Sequence, residues 1–300
     1  MKLLLELCLF LAGTYGSSIA YPQEIEPQFG CSETDIDGAC HIKELTIDST
    51  DSHDGSSFPE VSVLYLDKCK FDIFSPQIAD KVHNTTESLF ILDGHVPKVY
   101  LKPTLKFFTD LRAETVEILI DPFDNIQLEL FDVEGLLRAI PKNVRHLKSL
   151  VTLDLCENEI EQCDLNQLKG LERLRKVNLG HNRIGSVTTT GKVNLPNLEE
   201  LFLHDNQMEA LDLTDLKADR LKRLYLSQNH LVRIDGFPER YKQLQRVDLY
   251  QNKWDCEWLE GTLDALRDAE VEILSFLPGK VCDERGSVKV TVIECQRITS

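Results

Sequence analysis

The 300-residue chain carries 50 Asp and Glu against 33 Lys and Arg, a formal net charge of −17. That sign argues against a nucleic-acid backbone as the partner, and the length admits one large domain or two smaller ones. No Gly-x-Ser-x-Gly, His-Glu-x-x-His, Cys-x-x-Cys or phosphate-loop pattern occurs, so the chain is not expected to be an enzyme or to carry a cofactor or metal.

The amino end, "MKLLLELCLFLAG", has one Lys, a short apolar run and then small residues, which reads as a secretory signal over residues 1–20, cleaved after Gly16 or Ala20. No later stretch approaches the ~18 apolar residues of a membrane span, and the tail "TVIECQRITS" is no lipid-anchor signal. The expected product is secreted and extracellular. Residues 21–41 form an acidic linker and an amino-terminal cap. Ten acids between Glu24 and Glu60 face Lys43 alone, a solvated flank. Removal of Cys8 with the signal leaves eight cysteines, an even number suited to an oxidising compartment. Cys31 and Cys40 sit where a disulfide would close the cap. Asn84-Thr85-Thr86 is a glycosylation acceptor.

From residue 150 one pattern returns five times: "LVTLDLCENEI", "LRKVNLGHNRI", "LEELFLHDNQM", "LKRLYLSQNHL" and "LQRVDLYQNKW". Each copy has apolar residues at positions one, four, six and eleven, and asparagine at nine. The asparagines, Asn158, Asn182, Asn206, Asn229 and Asn252, are 24, 24, 23 and 23 residues apart. That period marks a leucine-rich solenoid. Positions four and six flank one outward residue, the alternation of a short strand. The amide at nine has the donors and acceptor to satisfy backbone groups that the turn would bury. The fold class expected is an α/β solenoid, an arc with a parallel concave sheet of about eight coils and disulfide-containing caps at both ends.

Regular coils occupy 150–254 and degenerate ones 42–149. "VSVLYLDKCKF" puts Cys69 at the asparagine position and "TESLFILDGHV" puts Gly94 there. "AETVEILIDPF" puts Asp121 there, with Phe123 and Ile126 following; "IKELTIDST" is a fainter first coil. The 37 residues from Asp121 to Asn158 exceed one coil, so "FDVEGLLRAIPKNVRHL" is expected to add a helical turn or two. Residues 255–300 form a cysteine-containing cap. Its "KWDCEWLEGTLDALRDA" reads as a short helix facing the last coil with Trp258, Leu259, Leu263 and Leu266.

The outward residues of the concave strands are expected to be Tyr65, Phe90, Glu117, Asp154, Asn178, Phe202, Tyr225 and Asp248. Phe202 and Tyr225, with Tyr250 one column across and Glu200, Arg223 and Arg246 around them, form a candidate partner-binding cluster. Tyr65 and Phe90 make a second. His181 and His204 beside Asp205 are too few for a metal site and read as solvated side chains. Cys69 and Cys163 fall at inward positions and read as structural thiols, whereas Cys156 falls on the open face, pointing away from Cys163.

These residues resemble extracellular leucine-rich-repeat proteins, closely from Leu150 to Cys295 and loosely from Cys31 to Pro141. The end "NKWDCEW…VC…EC" resembles their cysteine-rich carboxyl flank. Signal, degenerate early coils, regular late coils and "WDC" together look most like the short leucine-rich immune proteins of mosquitoes. The resemblance implies a haemolymph protein that pairs with a second leucine-rich-repeat protein and engages a complement-like thioester protein. It implies no membrane span. Such proteins usually continue into a dimerising coiled coil, and this sequence stops at Ser300. The flank of these relatives has four cysteines and this one three. Cys256 with Cys282 is the expected bond, leaving Cys295 or Cys156 for a bond to another chain. The expected role is recognition or scaffolding in insect innate immunity, through the concave face, on a protein or microbial surface. An extracellular adhesion or matrix protein, or a soluble receptor ectodomain, is the alternative.

Overall fold

The computed structural model describes residues 29–48 and 56–274 and the two-residue strand Cys295–Gln296. The expected signal peptide and Cys282 lie outside the described residues. One sheet runs the length of the molecule, its twelve strands ordered as in the chain. They are β1 (Glu33–Thr34), β2 (Cys40–Lys43), β3 (Val63–Asp67), β4 (Ser88–Leu92), β5 (Phe107–Leu111) and β6 (Leu130–Glu134). After them come β7 (Thr152–Asp154), β8 (Lys176–Asn178), β9 (Glu200–Phe202), β10 (Arg223–Tyr225), β11 (Arg246–Asp248) and β12 (Glu272–Leu274). Only β1 pairs antiparallel, forming a hairpin with β2; every later pairing is parallel. This is a leucine-rich-repeat solenoid. The parallel ladder has eleven strands, more than the eight coils expected.

The repeat pattern makes this shape because a single coil has nothing to cover its apolar face, so each coil is held by the next. Leu153, Val177, Leu201, Leu224 and Val247 stack in one buried column, and Leu155, Leu179, Leu203, Leu226 and Leu249 in the next. The asparagines bind coil to coil. Asn206 Nδ2 donates to Leu179 O of the preceding coil at 2.9 Å, and its Oδ1 accepts from Ile184 N at 2.9 Å. Asn158, Asn182, Asn229 and Asn252 donate to Val133, Leu155, Leu203 and Leu226 carbonyls. Cys69 does the same: its buried thiol donates to Ile42 O at 3.5 Å, and burial pushes its pKa up to about 11. Cys163 is also buried and free, its pKa pushed up to about 12 by burial.

The degenerate coils depart from the expected frame. Leu89 pairs with Phe108, Phe108 with Phe131 and Phe131 with Leu153, intervals of 19, 23 and 22 residues. Two sheet strands, β5 and β6, therefore fill what reads in sequence as one odd coil plus an insertion. Glu117–Leu119 lies on the convex side, paired with Lys98–Tyr100, so Glu117 is not a concave residue. Phe123 and Ile126 are exposed at 75% and 68% and do not enter the core. The frame slipped because strand alternation occurs on both sides of each coil, and here the asparagine that distinguishes them is missing. In place of the expected helix, "FDVEGLLRAIPKNVRHL" contributes most of β6 and a 3-10 turn, Val144–His146.

Both ends are closed. Cys31 and Cys40 are bonded, with Cα atoms 5.3 Å apart, fastening the residues before β1 to β2. Phe29 packs at a 45° tilt against Phe58, ring centres 4.4 Å apart. A short helix α1 (Pro76–Lys81) is capped by the Ser75 hydroxyl, which accepts from Ile78 N. Helix α2 (Cys256–Asp268) starts at Asp255, whose carboxylate accepts from Trp258 N at 2.9 Å. It buries Leu259 and Leu266 against the last coil, with Trp258 and Leu263 partly buried beside them. Trp254 is buried, stacks on Trp258 at 4.9 Å and donates from Nε1 to Leu249 O at 2.7 Å.

Candidate functional site: the concave face

The register fixes which side chains share the concave surface. Along its central column run His41, Tyr65, Phe90, Thr109, Asp132, Asp154, Asn178, Phe202, Tyr225, Asp248 and Leu274. At the early end three rings stack. His41 lies on Tyr65 with centres 4.3 Å apart and planes 4° apart, and Tyr65 on Phe90 at 4.5 Å and 14°. All three are half-buried. Sequence reading finds Tyr65 and Phe90 but misses His41, because the strand that carries it begins at a disulfide cysteine and lacks the leucine frame. Beside the rings, Glu33, Asp35, His41, Lys43, Asp67, Leu92 and Asp93 line a shallow depression of about 380 Å³. Lys43 is ion-paired with Glu33, which leaves the depression net acidic.

The middle of the column is acidic. Burial, reinforced by the neighbouring Asp154 charge, pushes Asp132 up to about 7. Asp154 itself is held by Lys176, 3.2 Å away, whose ammonium also lies 5.3 Å from the centre of the Phe202 ring. Inside this sheet, Asp110 occupies the position that Leu155 and its equivalents fill in regular coils. Its carboxyl oxygen accepts from the Thr115 hydroxyl at 2.6 Å, and burial drives its pKa up to about 7.

The late cluster differs from its expected form. Phe202 and Tyr225 do stack, at 4.5 Å and 6°, but they are 5% and 3% exposed and form a small apolar cluster with Leu274. Glu200 is ion-paired with Arg223, and Arg246 with Glu272 at 3.1 Å. Arg246 also hydrogen-bonds Tyr225, and Tyr250 is half-buried. Phe202 and Tyr225 are thus not open anchors in this structure. Of His181 and His204, expected as solvated groups, His204 is buried and His181 half-buried: His181 Nδ1 lies 2.5 Å from Asp205 Oδ2, and its ring meets His204 edge-on at 4.9 Å. His204 lies over Gly180, where a Cβ would come within 2.4 Å of the imidazole. Among the described residues no group of three His, Cys, Asp or Glu could hold a metal ion.

Cysteine chemistry corrects one further expectation. Cys156, on the concave side, is already disulfide-bonded within this chain and 4% exposed, so it is not available to a second chain. Cys256 is disulfide-bonded as well. The side chains of Cys282 and Cys295 lie outside the described residues. Asn84 is exposed in the turn before β4, while the Thr86 hydroxyl of the same acceptor triplet donates to Val61 O at 2.8 Å.

The leucine rich repeat family model matches residues 135–184 and 172–231. The chain is 28% identical over 168 residues to P-granule-associated novel protein 1 of Caenorhabditis elegans, which covers 49% of this chain and 27% of that protein. It is 30% identical over 126 residues to Tsukushi-A of Xenopus laevis, covering 41% of this chain and 35% of that protein. The chain thus spans about a quarter to a third of the length of these curated relatives. Among solved structures, the LRIM1/APL1C complex matches with a TM-score of 0.59 at 14% identity, over 74% of this chain and 46% of the matched one. At that identity the likeness is one of fold. Among the described residues no helix is long and apolar enough to cross a membrane.

Proposed function

We propose that the protein is a secreted recognition or scaffold protein of insect innate immunity, a binder and not an enzyme, that engages an extracellular protein or microbial surface through its concave face. The observation that carries this reading is the stacked, half-buried row His41–Tyr65–Phe90 on a parallel sheet. Rings already fixed by stacking lose little conformational freedom when a partner covers them, and preorganised aromatic clusters are common binding anchors. The acidic rim of Asp35 and Asp67 favours a partner patch of basic character, Asp93 beside them being already ion-paired with Arg112. A second leucine-rich-repeat protein is a natural partner class, since the fold is shared with a protein crystallised in the LRIM1/APL1C complex. A complement-like thioester protein is the other.

The test is affinity capture from haemolymph with wild-type protein and a Tyr65→Ala/Phe90→Ala double variant. The proposal expects at least a tenfold loss of the captured partner in the variant. An identical set of captured proteins at identical yield would remove the site from the early concave face.

A further inference from the structure

On the convex side the ladder is interrupted after Glu117–Leu119, and a cleft opens at the break. That strand pairs backwards with Lys98–Tyr100: Glu117 N donates to Pro97 O, and Leu119 O accepts from Leu101 N. Alternate residues of a parallel strand turn their main-chain groups to opposite neighbours. Ile118 therefore turns its N–H and C=O the other way, toward the following coil. That coil pairs onward instead: Leu137 O accepts from Glu159 N, Arg138 O from Glu161 N, and Ala139 bridges to Gln162. Among the described residues the N–H and C=O of Ile118 and the N–H of Ile120 have no hydrogen-bond partner. Ile120 O is met, by Asn143 Nδ2 at 2.9 Å. Between the two runs lies a cleft of about 550 Å³ walled by Val116, Ile118, Ile120, Leu137, Ile140 and Pro141.

The rim of this cleft is basic, with Lys98, Arg138 and Lys142 against Glu117. Lys98 is paired with Glu117 at 3.1 Å and Arg138 lies 3.6 Å from Glu159, but Lys142 has no ion pair among the described residues. Lys142 and Asn143 also line an adjoining depression of about 290 Å³, with Arg145 beside them. On a chain of net charge −17 this is a local reversal of sign. We propose that the cleft is a strand-addition site, which takes an extended peptide of a partner protein with apolar residues at its centre and acidic residues at its ends. An extended backbone supplies the carbonyl and N–H groups that Ile118 and Ile120 lack, and its side chains fill the apolar walls. An acyl chain of the same volume would leave those main-chain groups buried and unpaired, at a cost in affinity. The acidic ends match the charge of the rim. The cleft lies on the opposite side of the solenoid from the row His41–Tyr65–Phe90, so the two sites are independent.

The probe is the blocked peptide acetyl-Glu-Val-Val-Val-Glu-amide, added in excess to the full chain. The readout is hydrogen exchange of residues 115–121, followed by mass spectrometry. Exchange in this segment should slow by roughly fivefold or more with the peptide. The same peptide with every valine N-methylated keeps its side chains but cannot donate, and it should give no protection. Lys142→Glu, a change at an exposed residue, should raise the peptide concentration needed for protection. Exchange that the peptide leaves unchanged overturns the proposal. Equal protection by the methylated peptide or by decanoate would mark a merely apolar cleft and overturn it too. Protection that grows with protein concentration in the absence of peptide would give the edge to a second copy of the chain, again overturning it. Tyr65→Ala/Phe90→Ala should respond to the peptide as wild type does, so this site and the concave one stand or fall separately.

Discussion

Replacing Asn206 by leucine isolates what the turn amide does. Its carboxamide makes four hydrogen bonds, but they are not equally replaceable. Leu179 O keeps a second donor in Asn182, Leu203 O keeps Asn229, and His204 O keeps the backbone N–H of His181. Ile184 N, by contrast, has Asn206 Oδ1 as its acceptor and lies in the buried interior, so leucine orphans it. An orphaned buried donor costs about 1–3 kcal/mol, and three weakened carbonyls with a larger side chain to fit bring the total to about 2–4 kcal/mol. For a solenoid of this size that corresponds to a fall in Tm of roughly 5–15 °C. Urea unfolding followed by circular dichroism, with the exposed neighbour substitution Gln207→Ala as control, measures it. If the midpoint of Asn206→Leu lay within ~0.5 kcal/mol of that control, the amide would not be what joins the coils.

Asp110 should make stability fall as pH rises. Its folded-state pKa, about 7, lies above the ordinary 3.8, so its protonated form is the one the fold favours; that stability is complete below pH ~4 and is lost as pH rises through about 7. Asp132 shifts the same way and adds to the slope. Asp110→Leu should flatten the pH 5–8.5 stability profile and raise Tm at pH 8, measured by thermal unfolding; a variant with the wild-type slope would refute the assignment. Opening the amino-terminal cap with Cys31→Ser/Cys40→Ser should lower stability by about 2–3 kcal/mol, read as a shift in the denaturant midpoint, and an unshifted midpoint would mean the hairpin is held by Phe29 and Phe58 instead. Asn84→Gln should remove one glycan's worth of mass from the secreted protein, visible by mass spectrometry, and no change in mass would show the exposed turn unmodified.

The sequence by itself determined the coil wherever its signal is local. From Leu150 to Asn252 the period of 23 or 24, the paired leucine columns and the turn amide are set within each repeat, and neighbours need only copy one another. Cys69 could be placed for the same reason, since it stands at the turn between recognisable leucines. Between Leu101 and Pro141 the local signal fails. Ala113 stands at the turn position, Asp110 takes a leucine position, and a 19-residue coil breaks the spacing, so only the pairing of Phe108 with Leu89 and Phe131 identifies the strands. Whether an outward side chain is open is likewise decided in three dimensions. Tyr65 and Phe90 repeat the pattern of Phe202 and Tyr225, yet the first pair is half-buried and the second buried. Alternation along a strand fixes the face a residue points to; what lies over that face is set by parts of the chain distant in sequence, and only the tertiary structure brings them together.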